Sequence, residues 1–183
     1  GRGSPRCRSH DRILVSSYRL LLIGKERFLK DEAIAEVRGK LFRDGSEAEL
    51  NFQSFEAERD AVSQFLDFLG TAPFLAEKRL AVLWGVDALE EKDRERLLAD
   101  LDRLPSGACF ILETQETSTR KDPFLQSLAD KTVVQPCHVP FDRDLPAWIQ
   151  TRATKKGLGM ERALALFLME RVGRELSGLE NAL

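Results

Sequence analysis

Apolar positions along this chain switch repeatedly between two periods. Five short runs are strand-like: Tyr18–Gly24 (YRLLLIG), Glu49–Phe55 (ELNFQSF), Arg79–Val86 (RLAVLWGV), Ala108–Thr114 (ACFILET) and Thr132–Val139 (TVVQPCHV). The first, third and fourth are nearly continuous in apolar residues, as befits central parallel strands covered on both faces. In the second, Leu50 and Phe52 alternate with polar residues, the pattern of an edge strand. Between the runs, apolar residues recur at helical spacing. Glu26–Phe42 carries Phe28, Leu29, Ile34, Val37 and Leu41, and Glu58–Leu69 carries Val62, Phe65, Leu66 and Leu69. Leu89–Leu104 carries Leu97, Leu98, Leu101 and Leu104 with dense charge opposite, and Pro123–Ala129 is a short helix. Such alternation predicts an α/β fold: a doubly wound, parallel, five-stranded sheet flanked by helices.

After Pro140 the strand pattern stops. Leu145–Lys156, Met160–Val172 and Arg174–Leu183 read as three helices separated by Gly157, Gly159 and Gly173. The expected organisation is therefore a disordered tail over 1–16, an α/β domain over 17–140 and a small helical domain over 141–183. The last helix, ELSGLENAL, has no C-terminal stop signal, so the chain is expected to be truncated at this end.

The first strand–turn–helix unit is where a nucleotide-hydrolysing sheet protein carries its phosphate loop, G-x-x-x-x-G-K-[ST]. With Gly24-Lys25 as the G-K pair, the earlier glycine falls at Arg19 and the hydroxyl position at Glu26. A carboxylate there repels phosphate instead of holding magnesium. The third run fails a second test. A Walker B strand ends in an aspartate for magnesium, but Ala81-Val82-Leu83-Trp84 is followed by Gly85-Val86, and the first acid is Asp87. Asp87 reads instead as a helix N-cap, with Glu90 at the capping-box position. The frame of a nucleotide-binding domain is present without its chemistry. No cofactor is expected.

Composition narrows the field further. Twenty-eight Lys and Arg stand against 30 Asp and Glu, a net charge of −2, which gives no push toward nucleic acid. A DNA contact is open to lysines and arginines on the helices, such as Arg38, Lys40, Arg43, Lys155 and Lys156, but such a charge run is usually a solvated face. No stretch approaches the roughly 18 apolar residues of a membrane span. The N-terminal GRGSPRCRSHDR has no apolar core and is not a secretory signal. Cys7, Cys109 and Cys137 are odd in number without C-x-x-C spacing, so neither a disulfide framework nor a metal site is expected, and Cys109 and Cys137 read as buried thiols. His10 and His138 have no serine or cysteine partner in a recognisable motif. A reducing cytoplasm fits this cysteine usage.

One segment stands out as a binding element. Gly70-Thr71-Ala72-Pro73-Phe74-Leu75-Ala76-Glu77-Lys78-Arg79 lies between a helix and a buried strand. Gly70 ends the helix, and Pro73 suits the first turn of a new short one. Adjacent residues on such a helix point about 100° apart. Phe74 and Leu75 therefore do not both face one core, and at least one becomes an exposed apolar knob flanked by charge. The Ser118-Thr119-Arg120-Lys121 stretch is a further loop with a positive pair, ahead of the helix start at Pro123.

A nucleotide-type sheet followed by a three-helix lid is the layout of AAA+ (RecA-like) modules. Within that layout, YRLLLIGKERFLKDEAI, TAPFLAEKRLAVLWGVDAL, ACFILET and LPAWIQTRATKKGLGMERALALFLMERVGRELSGLENAL, in this order and spacing, resemble the delta subunit of the bacterial DNA polymerase III clamp loader. The resemblance spans roughly residues 18–183, about the N-terminal half of a family member. Val172-Gly173, Leu179 and Asn181-Ala182-Leu183 match the end of that family's lid. The resemblance implies that Phe74 and Leu75 insert into a hydrophobic pocket of the ring-shaped sliding clamp, the beta subunit, and help to open it for loading onto DNA during replication. Pro73, Lys78 and Arg79 would support or rim that contact. It implies no intrinsic catalysis, with ATP acting in sister subunits, although the family is often catalogued under DNA polymerase activity as part of the holoenzyme. In clamp-loader relatives an arginine finger lies where Arg120 falls. The implied partners are the clamp, the other clamp-loader subunits through a C-terminal collar beyond this chain, and primer–template DNA held by the assembly. Two other readings stay open: an inactive AAA+ like scaffold for another partner, and a divergent nucleotide hydrolase.

Overall fold

The computed structural model describes residues 18–183 other than Arg59; the tail over 1–16, with Cys7 and His10, lies outside the described residues. Five parallel strands form one sheet: β1 (Arg19–Ile23), β2 (Phe52–Glu56), β3 (Arg79–Trp84), β4 (Ala108–Thr114) and β5 (Val133–Pro136), in the order β2-β3-β4-β1-β5. Every connection is a helical crossover, as parallel neighbours require. Helix α1 (Arg27–Leu41) and a short α2 (Gly45–Asn51) follow β1. Helix α3 (Ala61–Gly70) follows β2, α4 (Glu91–Leu101) follows β3, and α5 (Pro123–Lys131) follows β4.

The central strands bury both faces, and their period of two sorts the side chains. Leu21 and Ile23 of β1 join Phe110 and Leu112 of β4 in the core under α3, α4 and α5. Leu20 and Leu22 join Cys109 and Ile111 in the core under α1. Phe65 meets Phe55 and Phe110 edge-on in the first of these layers. Cys109 and Cys137 are both buried free thiols, and desolvation pushes the Cys137 thiol up to about 11. The crossover from β1 thus covers one face, and the crossovers from β2, β3 and β4 cover the other. The crevice of such a sheet opens at the carboxyl ends of β1 and β4, where the two sets diverge.

Three further helices, α6 (Leu145–Lys155), α7 (Arg162–Val172) and α8 (Leu176–Asn181), close around Leu145, Ile149, Ala165, Leu176 and Leu179. Phe28 and Leu29 of α1 pack against this cluster, so the first turn of α1 joins it to the sheet. Arg152 of α6 binds the Glu32 carboxylate of α1 through both guanidinium Nη groups and lies 3.7 Å from Glu180 of α8.

The second strand and the turn after β3 differ from expectation. The second strand begins at Phe52, not Glu49, because residues 45–51 form α2. Asp44 caps that helix by accepting from the Glu47 N–H at 2.9 Å, and the Glu47 carboxylate accepts from the Arg43 N–H at 2.8 Å, a reciprocal arrangement like a capping box. Leu50 consequently leaves the strand pattern and lies exposed on α2. Asp87 is not an N-cap. It sits in a 3-10 turn over Val86–Ala88, and α4 starts after Glu90. Arg94 reaches back to the Asp87 carbonyl at 2.5 Å and the Leu89 carbonyl at 2.8 Å, which holds that turn in place.

Candidate functional site

At the crevice between β1 and β4, backbone N–H groups that would face a phosphate are already engaged. The N–H of Gly24 donates to the Thr114 carbonyl at 3.2 Å, and the N–H of Glu26 donates to the Cys137 carbonyl at 3.1 Å. The Glu26 carboxylate is the cap of α1, accepting from the Phe28 N–H at 3.1 Å, so the helix N-terminus is met by the chain's own anion. Gly24, at φ +124°, lies so close to the Cys137 carbonyl and the His138 ring that a β-carbon has no room there. Lys25 is exposed. The lysine that does turn inward is Lys30, one turn further along α1. It is buried against the Glu113 carboxylate and 3.4 Å from the Thr114 carbonyl. The other Glu113 oxygen accepts from the N–H of Gly85 at 2.8 Å. Gly85, in the position of the Walker B aspartate, is in the left-handed region at φ +71°. A buried ion pair thus ties the ends of β3 and β4 to α1. The residue types gave no signal for it, because Lys30 reads as one more polar helix position and Glu113 as a break in an apolar strand.

The second site is the connection from α3 to β3. It is a loop over 71–78, not the short helix that Pro73 suggested, because Leu75 takes a left-handed φ of +52°. Both members of the apolar pair project: Phe74 is 54% exposed and Leu75 85% exposed. The loop's base is fixed at several points. The Thr71 hydroxyl donates to the Asp67 carbonyl at 2.8 Å, and the N–H of Arg79 donates to the Gly107 carbonyl at 3.0 Å. Gly107 admits this close approach, since a β-carbon there would stand 3.1 Å from the Glu77 carbonyl and 3.8 Å from Pro73. The buried side chain of Asn51 grips the backbone of Phe74 from the other side.

The charged members of the segment divide. Arg79 turns inward: its guanidinium donates to the Phe68 carbonyl at 3.0 Å and stacks 4.4 Å from the Phe68 ring. Lys78 reaches the Ser106 carbonyl at 3.3 Å. Leu50, which the alternating pattern assigns to the second strand, is 52% exposed and lines one shallow hollow with Phe74, Leu75, Arg43, Asp44, Ser46 and Glu47. The signal that would have found it is the D-x-x-E pattern of Asp44 and Glu47, which starts a helix and so moves Leu50 to its outer face.

Other candidate residues lie apart. Arg120 is exposed in the loop ahead of α5, its carbonyl accepting from Gln126 at 2.6 Å. Of the basic residues considered for DNA, Arg38 stacks over Phe52 at 4.3 Å, Lys40 pairs with Glu36 at 2.5 Å and Lys156 pairs with Glu180 at 3.1 Å. Among the described residues no cluster of His, Cys, Asp and Glu is arranged to hold a metal, and no helix is long and apolar enough to cross a membrane.

The family model for the DNA polymerase III delta subunit matches residues 20–138, which include both the crevice and the 71–78 loop. No curated protein sequence matches the chain. Among solved structures, the DNA clamp loader delta protein of Bacillus subtilis superposes with a TM-score of 0.78 at 18% identity, over 91% of this chain and 52% of that one. A DNA polymerase III gamma subunit-related protein of Thermotoga maritima superposes with a TM-score of 0.60 at 15% identity, over 91% of this chain and 53% of that one. The chain therefore spans about half the length of these structural relatives.

Proposed function

Because the chain belongs to the DNA polymerase III delta subunit family, we propose that it binds a sliding clamp through Phe74 and Leu75 and helps to open the ring, without hydrolysing ATP itself. The observation that carries this reading is the pairing of two projecting apolar side chains with a loop whose base is hydrogen-bonded on both sides. Leu75 has nearly its whole side chain left to bury, worth about 2 kcal/mol, and half-exposed Phe74 about 1.5 kcal/mol. Leu50 continues the apolar surface, and Lys78 stands at its base. Arg79 supports the loop from within through its contacts with Phe68.

Ring opening follows from differential binding. A knob that fits its pocket better when the clamp interface is relaxed shifts the ring toward the open form. The crevice supports a role without catalysis. The N–H groups of Gly24 and Glu26, the buried Lys30 and the N-terminus of α1 are committed to internal partners, so nucleotide-driven steps belong to sister subunits. The helices α6 to α8 act as the lid of the module, a collar beyond this chain joins it to the other subunits, and primer–template DNA is met by the assembly in the bacterial cytoplasm.

Calorimetric titration of the chain into a bacterial sliding clamp tests this, beside the Phe74→Ala, Leu75→Ala double variant. The expected loss is about 100-fold in affinity, the equivalent of about 3 kcal/mol. Thermal unfolding should be nearly unchanged, because both side chains are exposed. No binding by the folded wild-type chain would remove the clamp role and leave an inactive scaffold for another partner as the better reading.

A further inference from the structure

Asn51 is the last residue of α2, and its side chain is fully buried. A buried primary amide is costly unless its carbonyl and both N–H groups find partners. All three do so here. Oδ1 accepts from the N–H of Phe74 at 2.7 Å, while Nδ2 donates to the Phe74 carbonyl at 2.9 Å and to the Glu47 carbonyl at 2.9 Å. The bond to Glu47 anchors the amide on its own helix. The other two satisfy both backbone groups of Phe74, as a neighbouring strand would.

The following residue shows why this matters. Leu75 holds φ +52°, which a residue with a β-carbon adopts only when the surrounding chain fixes it. The loop over 71–78 has no helix or strand of its own to do so. On the far side, Glu77 and Pro73 rest on Gly107. On the near side, the fixed point immediately before Leu75 is the Asn51 grip on Phe74. Without it, Phe74 and Leu75 are free to collapse into the shallow hollow they line with Leu50, and a partner must then order them at the moment of binding.

We propose that Asn51 is a positioning residue for clamp engagement: its amide clamps the Phe74 backbone and holds the Phe74–Leu75 knob in its projecting form. This rests on the reading that the knob binds the clamp. Asn51 need not touch the clamp to act.

The test compares the wild-type chain with Asn51→Ala and Asn51→Asp in three measurements. These are amide hydrogen exchange at Phe74, thermal unfolding, and clamp affinity by calorimetry at two pH values. The Phe74 amide is expected to be protected in the wild type and unprotected in Asn51→Ala, with clamp affinity down about tenfold. Asn51→Asp supplies a signature that a generally loosened structure would not give. Its ionised carboxylate accepts from Phe74 but cannot donate to the two carbonyls; its protonated form restores one donor beside the acceptor, enough for the Phe74 carbonyl but not for both. Burial beside two carbonyls raises the pKa of such an acid. Its affinity is therefore expected to recover toward wild type as pH falls from about 7.5 to about 5.5, while Asn51→Ala does not recover. The neighbouring charged groups on the hollow, Arg43, Asp44 and Glu47, are present in both variants, so the alanine series subtracts their titration. Wild-type affinity in Asn51→Ala, an unprotected Phe74 amide in the wild type, or an Asn51→Asp affinity that tracks Asn51→Ala at both pH values would overturn the proposal. Failure of the wild-type chain itself to bind the clamp would overturn the clamp reading and this proposal with it, and the wild-type titration alone identifies that case.

Discussion

Leu75 combines a backbone conformation that opposes stability with an apolar side chain held in water. Replacing it by asparagine, which tolerates the left-handed region, should raise stability by about 0.5 kcal/mol. On the proposed clamp contact the same change should remove about 2 kcal/mol of burial, roughly a 30-fold loss of affinity. Urea unfolding and clamp titration of Leu75→Asn should therefore move in opposite directions; a joint fall would mean that Leu75 packs within the chain. Lys30 presents the converse case. It is buried against Glu113, so Lys30→Met strands a carboxylate and should cost about 3 kcal/mol in urea unfolding. Adding Glu113→Gln neutralises that carboxylate and keeps an acceptor for the N–H of Gly85. The double variant should thus be more stable than Lys30→Met alone, and simple additivity would show that the pair is not coupled.

At the scale of elements, the legible parts were those whose periodicity reports their surroundings. The runs of β1, β3 and β4 are apolar on both faces because helices cover both, and in α3 the spacing of Val62, Phe65, Leu66 and Leu69 marks the buried face. What was illegible depended on contacts across the fold. Asn51 reads as a polar strand residue until α2 places it under the loop, and Arg152 reads as a solvated helix arginine until α6 lies on α1. That second contact predicts a pH effect. The hydrogen-bonded guanidinium of Arg152 holds the Glu32 carboxyl below its ordinary value of 4.5. A group with a lowered folded-state pKa stabilises above its unfolded value, and this contribution disappears as pH falls through the folded one. The difference in melting temperature between wild type and Glu32→Gln should therefore be constant near neutrality and shrink below about pH 4.5. A difference that widens on acidification would contradict the assignment.

Across the whole molecule, the two sites lie at opposite ends of β3. The crevice lies at the carboxyl ends of the strands, where a parallel sheet places its ligands. The knob precedes the amino end of β3. In this chain the first has become a stitched joint and the second carries the projecting side chains. Clamp opening by this chain is expected to need the knob and no nucleotide of its own. A pair of fluorophores placed across one interface of a bacterial sliding clamp tests it most directly. Adding the chain without nucleotide should lengthen the distance between them, and the Phe74→Ala, Leu75→Ala variant should not. A bound chain that leaves the interface closed, or that opens it only when ATP is supplied to the chain itself, would rule out opening by the knob alone.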